Sequence, residues 1–323
     1  MGRIESICIS AAKGERKHLV QAAVLRAHHG IEGDAHTGSW HRQVSLLAAE
    51  DIDAVRRRSL PELAPGAFAE NMAVSGLELR ALGLGSRLRL GRDAVLAITQ
   101  IGKRCHAPCV IQRETGDCIM PRLGLFARVL AGGAVAVGDR VDVEERIPRE
   151  RVQAVVLTLS DRCSRGEARD TAGPAVAARL QAALGAHLYE ATILPDERAL
   201  IAERLKHYAD GPAPDLVVTV GGTGFAPRDT TPEATRDVVE RLTPGLDEAM
   251  RAVSLAHTPH AMLSRGISGI RGSTLIINLP GSERGALENL EAILPALGHG
   301  LAKLSGDPSD CGRGPSAAAA QHG

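Results

Sequence analysis

Three glycines and one aspartate hold most of the chemical promise of this chain. Gly221, Gly222 and Gly224 end the apolar, β-branched run Leu216 to Val220 in the stretch LVVTVGGTGFAPRDTTPEAT, and Asp229 follows in the same loop. Such a run reads as a buried strand cut short by a glycine turn. Thr230 with Glu233 three residues on, and Pro232 between them, is a capping-box pattern, which predicts a helix carrying Val238, Val239 and Leu242. A strand, glycine loop and helix N-terminus together offer backbone N–H groups and partial positive charge to an anion, with phosphate as the natural guest. Two common nucleotide motifs are excluded. No Gly-Lys-Ser/Thr follows, and Pro227 occupies the place of the third glycine of a dinucleotide fingerprint. Asp229 would repel phosphate unless a divalent cation such as Mg²⁺ lay between them; the other reading of Asp229 is a helix cap.

A second concentration of reactive types lies between Thr99 and Asp139, where Cys105, Cys109 and Cys118 stand close in sequence to His106. A structural zinc site would want four ligands, usually in two tight pairs, and no second C-x-x-C-like pair is present. Buried inert thiols are a further reading. Lys103, Arg104, Arg113 and Arg122 would favour a thiolate and attract a phosphate-bearing cofactor if they are near in space, or they are solvated surface. Upstream, the loops HHGIEGDAH and HRQV and the group Phe68-Ala69-Glu70-Asn71 are loaded with polar residues. His36 and His41 there either bind metal, order a loop or are solvated.

The elements that must position these groups fall into two sets. At 323 residues the chain is long enough for two domains, each with its own core. Residues 1–145 alternate short apolar runs with glycine turns, at Ile4 to Ile9, Val44 to Ala48, Leu88 to Leu90, Ala94 to Ile101 and Ala134 to Val143, with one helix from Glu50 to Arg57. This predicts a β-rich, barrel-like domain. Residues 146–151, the core of the charged, proline-interrupted stretch EERIPRER, read as a linker. Residues 152–306 alternate strands with helices marked by Val176, Leu180 and Leu184, by Leu200, Ile201 and Leu205, by Leu246, Met250 and Val253, and by Leu287, Leu290, Leu294 and Leu301. This predicts a three-layer α/β domain with a mainly parallel sheet, whose sites lie beyond the strand C-termini. Asp161, Asp229 and Ser282 follow three different strands, so one crevice is expected to gather them. Residues 307–323, rich in Gly, Pro, Ser and Ala, read as a disordered tail.

Composition narrows the function classes. Apolar content of 44% and charged content of 24% are those of a globular protein, while 2% aromatics require aliphatic cores. Thirty-eight basic residues balance thirty-eight acidic ones, so nothing argues for nucleic acid as a partner. No run of about 18 apolar residues argues for a membrane, and MGRIES lacks the apolar core of a signal peptide. The expected location is the cytoplasm, where six cysteines are not a disulfide framework.

Several motifs also resemble known families. GGTG with Arg228-Asp229 and TTPEAT, together with Ser160-Asp161-Arg162, Ala172-Gly173-Pro174, Pro195-Asp196-Glu197 and SRGISGIRGSTLIINLPGS, resembles the molybdopterin adenylyltransferase family from about Val152 to Gly306. GDAH, HRQVSLL, FAEN, IGKRCH, GDCIMPR and a closing VGD resemble a MOSC domain over almost all of residues 1–143. The first resemblance implies ATP and molybdopterin as substrates, with Asp196 and Asp229 as the catalytic pair holding Mg²⁺. It implies that Gly221, Gly222, Thr223 and Gly224 cradle phosphate and that Asp161, Pro280, Gly281 and Ser282 border the site. Ser264, Arg265, Arg271, Gly272 and Ser273 would take the pterin side. The second implies molybdenum cofactor binding or sulfur handling at a cysteine, with Cys109 best matching the family position and Cys105 and Cys118 as the other candidates. Partners would be other proteins of molybdenum cofactor biosynthesis and further copies of this chain, as a trimer. A carrier that binds the cofactor without catalysis, or a molybdenum-insertion enzyme on the same fold, are the alternatives.

Overall fold

The structure, a computed structural model, describes residues 1–13, 15–58, 62–103 and 118–306. In the first half the strands are β1 (Gly2–Ile9), β2 (His18–Val20), β3 (Ala22–Arg26), β4 (Gly30–Ile31), β5 (Val44–Ala48), β6 (Met72–Ser75), β7 (Arg87–Leu90), β8 (Ala94–Ile101), β9 (Leu125–Ala131), β10 (Gly133–Ala136) and β11 (Arg140–Glu145). The expected single strand Ala134 to Val143 is two, because a turn whose Asp139 carboxylate accepts from Ala136 N at 2.8 Å separates β10 from β11. Strand order is β11-β7-β8-β9-β5-β6-β1-β2, and β11 also pairs with β1. The sheet therefore closes into a barrel with β2 appended to β1, which leaves few exposed edges. β5 and β6 run parallel within it, joined by a crossover that holds the helix Ala49–Arg58. Inward residues such as Ile4, Leu46, Val74, Leu88, Leu96, Ile98 and Val129 fill the interior with aliphatic side chains. Each contributes about 1.5–3 kcal/mol by leaving water.

The segment expected as a linker is bound to the barrel. Gly83 N donates to Ile147 O at 2.7 Å, Ile147 N donates to Ser86 Oγ at 3.1 Å, and the Ile147 side chain is buried. Its hydrophobic residue, rather than its charges, decides the outcome.

The second half contains β12 (Gln153–Leu159), β13 (His187–Leu194), β14 (Leu216–Val220), β15 (Arg241–Leu242), β16 (Ser268–Arg271) and β17 (Thr274–Leu279) in the order β13-β12-β14-β17-β16-β15. The first four strands in that order are parallel; β16 and β15 add an antiparallel edge. Alternate residues feed two cores. Ala154, Val156, Val218 and Ile277 pack with the helices Ala172–Leu184 and Glu283–Leu304, while Val155, Leu157, Val217 and Ile276 pack with Arg198–Asp210. β13 and β14 lie on opposite sides of β12, so the winding reverses beside β12 and β14. A crevice opens beyond their carboxyl ends. Among the described residues no helix is long and apolar enough to cross a membrane.

Candidate functional site

At that crevice the glycine loop follows β14. Gly221 and Gly222 have φ of 114° and 62°, conformations that a side chain would strain. A Cβ on Gly222 would overlap the Thr231 hydroxyl and stand 3.0 Å from Asp196 Oδ1. Gly221 N donates to Leu279 O at 3.0 Å and Thr231 Oγ1 donates to Gly221 O at 2.9 Å, so the base of the loop is fixed by β17 and by the following helix. The Gly221 amide is thereby committed to the sheet.

Three carboxylates converge on this loop. Asp161 follows β12 and Asp196 follows β13. Asp161 N donates to Asp196 Oδ2 at 2.9 Å, and Asp196 N donates to Asp161 Oδ1 at 3.1 Å. Arg228 grips Asp161 with two parallel bonds of 2.8 and 2.7 Å, and the first effect of that grip is to hold the Asp161 carboxyl below its ordinary range. Asp196 moves the other way. Burial raises its pKa, and the charges of Asp161 and Asp229 add to the rise. Its Oδ1 is buried without a hydrogen-bond partner among the described residues. Asp229 Oδ2 accepts from Ala226 N at 2.8 Å and lies beside Gly224. Asp229, expected either to meet a cation or to cap the helix, also braces the loop through this bond.

The capping box does not form. Thr230 makes no side-chain cap bond, and Glu233 turns to Arg265, which lies 32 residues away in sequence. The helix is Thr231–Arg236 only. Val238 and Val239 lie beyond it, and Leu242 is drawn into β15 by pairing with Gly269. Arg265 is the clamp of the site: its Nε donates to Gly224 O at 2.7 Å, its other nitrogens reach Glu233 and Asp229 O, and its own N–H donates to Thr223 O at 2.9 Å. Beside the clamp a cavity of about 270 Å³ is lined by Thr223, Gly224, Ser264, Pro280, Ser282 and Arg251. Ser282 Oγ also accepts from Gly285 N at 3.3 Å, capping the helix Glu283–Leu304. Gly281 packs on Gly221, where a Cβ added to Gly281 would meet the Gly221 Cα at 3.3 Å.

One group of expected site residues lies elsewhere. Arg271, Gly272 and Ser273 form the β16–β17 hairpin, beside the start of β14, whereas the glycine loop follows its end. Five strand residues, about 17 Å, separate the two ends. Arg271 spends its guanidinium on Asp210, at 2.8 Å through both Nε and Nη2, and on Val238 O. This hairpin instead borders a cleft of about 600 Å³ shared with Arg42, Lys103, Asp210 and Gly211. The same face carries the contact between the halves, where His41 meets His207 edge-on at 5.4 Å.

A divalent cation fits the crevice on its donor set. The orphaned Asp196 Oδ1, the nearby Asp229 and an open glycine loop match the one or two carboxylates through which Mg²⁺ is usually held together with substrate phosphates. Among the described residues no group of three or more His, Cys, Asp or Glu could hold a metal by itself.

In the barrel half, Asp34, Asn71, Ser45 and Lys17 form a buried polar knot. Asn71 Nδ2 donates to Asp34 Oδ2 and to Cys8 O, each at 3.0 Å, and Lys17 pairs with Asp34. Burial opposes the Asp34 charge, but bonds from His36 and Lys17 outweigh it and hold the carboxyl well below its usual range. Glu70, buried, accepts from Gly66 N and Phe68 N at 2.6 and 3.0 Å, so the FAEN group is a folded turn. His36 bonds Asp34 and His41 bonds Gln100. Cys118 packs against the cluster of Leu47, Ile52 and Phe68. Cys105, Cys109, Arg104 and Arg113 lie outside the described residues. Sequence reasoning missed Lys17, which looks like an ordinary loop lysine in KGERKHL, and Arg228, read only as part of a motif.

Comparison with known proteins agrees with both halves. Residues 155–299 match the family model described as a probable molybdopterin binding domain, and residues 33–142 match the MOSC domain. Molybdopterin adenylyltransferase of Helicobacter pylori is 47% identical over 143 residues, covering 44% of this chain and 81% of that protein. Gephyrin of Dictyostelium discoideum is 42% identical over 162 residues, 47% of this chain. The molybdenum cofactor synthesis protein cinnamon of Drosophila melanogaster is 39% identical over 160 residues, 50% of this chain. The chain spans only 22% and 27% of the lengths of these last two relatives. By its second half the chain belongs to the molybdopterin adenylyltransferase family, and that domain is fused behind a MOSC domain.

Proposed function

We propose that the second half adenylylates molybdopterin with Mg-ATP, in molybdenum cofactor biosynthesis, and that the MOSC half binds the molybdenum cofactor or handles its sulfur. The observation that carries the reading is the convergence of Asp161, Asp196 and Asp229 on a positive-φ glycine loop at the carboxyl ends of parallel strands. In the reaction, a terminal phosphate oxygen of molybdopterin attacks the α-phosphorus of ATP; the bond to the β-phosphate oxygen breaks, and pyrophosphate leaves. Phosphoryl-type transfer asks the protein mainly to position the reactants and neutralise charge.

The residues divide that work. The backbone from Gly222 to Gly224 receives phosphate, since Gly221 N–H is already used by β17. Arg265 holds the loop in register, and the cavity beside Ser264, Pro280 and Ser282 takes the pterin. Asp196 and Asp229 would hold Mg²⁺, which supplies charge neutralisation at the triphosphate when bound. Arg228, now paired with Asp161, lies where it can meet nucleotide phosphate once that pair opens. In this reading the protein works in the cytoplasm, with other proteins of the same biosynthesis and as a homo-oligomer, a trimer. Exposed Val253, Leu255, Met262 and Leu263, from consecutive elements, support self-association. Residues 152–306 form the catalytic unit and residues 1–145 the MOSC unit. Mass spectrometry of the pterin products after incubation with molybdopterin, ATP and Mg²⁺ tests the reaction. Adenylyl-molybdopterin and pyrophosphate are expected, and binding without ATP consumption would leave a carrier.

A further inference from the structure

The cavity beside the Arg265 clamp is also walled by the helices Pro244–Leu255 and Glu283–Leu304, which bring Ser254, Glu288 and Asn289 to it. Asn289 is only 6% exposed. Its Nδ2 donates to Gly285 O and to Ser254 Oγ, each at 2.8 Å. A carbonyl oxygen can only accept, so the bond to Gly285 fixes which end of the amide is nitrogen. Both N–H groups are spent. Oδ1 has no hydrogen-bond partner among the described residues and is the polar atom that Asn289 leaves for the cavity. Asn289 therefore offers a fixed acceptor, braced on both helices. The other polar groups of the wall differ from it. Arg251 is a donor, with Nη1 on Gly266 O at 3.1 Å. The hydroxyls of Thr258 and Ser282 already accept from His260 N and Gly285 N, each at 3.3 Å. Glu288, the only carboxylate among the described lining residues, pairs with Arg284 at 2.6 Å. A buried acceptor that a ligand fails to meet costs affinity, so the ligand that fits here brings an N–H.

We propose that Asn289 is a specificity-determining residue for the substrate ring: its Oδ1 accepts from an exocyclic amino group, so the pocket selects an amino-substituted heterocycle over the oxo form. The inference deepens the reading of this cavity as the pterin site and rests on it. The 2-amino group of a pterin is such a donor, whereas the near-isosteric 2-oxo analogue, lumazine, would set oxygen against oxygen. The test titrates the full chain with pterin and with lumazine, following the fluorescence anisotropy of each ring. The wild type is expected to bind pterin at least tenfold more tightly than lumazine, and Asn289→Ala to bring the two within about threefold. Should the alanine variant not fold, Asn289→Ser takes its place, since its hydroxyl can still donate to Gly285 O. Glu288→Gln, at the rival acceptor, should keep the preference. In adenylyl transfer, Asn289→Ala should raise KM for molybdopterin at least tenfold and move kcat far less, a split that general loosening of the two helices would not produce. Equal binding of the two rings by the wild type, a preference that survives loss of the Asn289 amide, or a preference lost in Glu288→Gln would overturn the proposal. Product formation by the wild type separates the two readings: adenylyl-molybdopterin made without ring selectivity defeats only the role of Asn289, and selective binding without product defeats only the catalysis.

Discussion

Asp161 and Asp196 clasp each other through backbone and carboxylate, each N–H donating to the other's side chain at 2.9 and 3.1 Å, and the clasp leaves Asp196 Oδ1 buried and unanswered. Asp196→Asn can keep the clasp through its remaining oxygen while losing the negative charge. Adenylyl transfer is expected to fall at least a hundredfold, roughly 2.7 kcal/mol of activation free energy. Stability should move the opposite way. The folded state holds the Asp196 proton more tightly than the unfolded chain does, so stability declines as pH rises from the ordinary carboxylate value of 3.8 through the raised folded value. The asparagine variant escapes that decline and should unfold at a higher temperature than the wild type at neutral pH in the absence of Mg²⁺. Thermal scans across pH check this, and a less stable variant would contradict it.

Asp229→Asn should retain the loop, because an amide oxygen still accepts from Ala226 N, yet lose most of the transfer. Asp229→Ala should lose both, with added loop disorder. Near-normal turnover of the asparagine variant at saturating Mg²⁺ would show that the two carboxylates do not act as a pair.

Arg265→Met removes the clamp on Gly224 O, Asp229 O and Glu233 at once. Amides from 222 to 229 should exchange with deuterium faster while the β14 core stays protected, and transfer should drop at least tenfold. Glu233→Gln, which removes one arm of the clamp, should be milder in both readouts. Unchanged exchange in the methionine variant would assign the loop's order to β17 alone.

His41 makes the contact between the halves sensitive to acid. Burial lowers its pKa to about 4, and the charges of Arg42, His207 and Arg128 push the same way against its bond with Gln100. The unfolded chain takes up the proton first as pH falls, so the contribution of His41 is intact above about 6.5 and is lost between about 6.5 and 4. The loss is bounded by about 3 kcal/mol. His41→Gln should flatten the pH dependence of unfolding over that window, and an equally steep profile would place the acid sensitivity in another group.

Some of this was legible in the residues. Leu216 to Val220 had to be a buried strand, and aspartates following separate parallel strands had to meet at one end of the sheet. The capping box misled because its pattern is local, whereas Glu233 answers to Arg265 in a different part of the chain. Arg271 misled for a related reason: motif proximity placed it near Ser264, but the antiparallel turn from β16 to β17 carries the chain back across the sheet. Lys17 gave no signal, since only the barrel's closure buries it against Asp34.

The hairpin of Arg271 also bears on how the fusion works. It faces the barrel half across the shared cleft, and the glycine loop opens at the other end of the same sheet. Joining the two domains in one polypeptide fixes their ratio at one to one and keeps them moving together. It does not aim the outlet of one at the inlet of the other. A molecule leaving the loop starts one strand length, roughly 17 Å, from the cleft at the barrel half of its own chain, so traffic between them would cross open solvent or reach a neighbouring copy. Such traffic would be diluted by volume and intercepted by added scavengers, as passage through a sealed tunnel would not be.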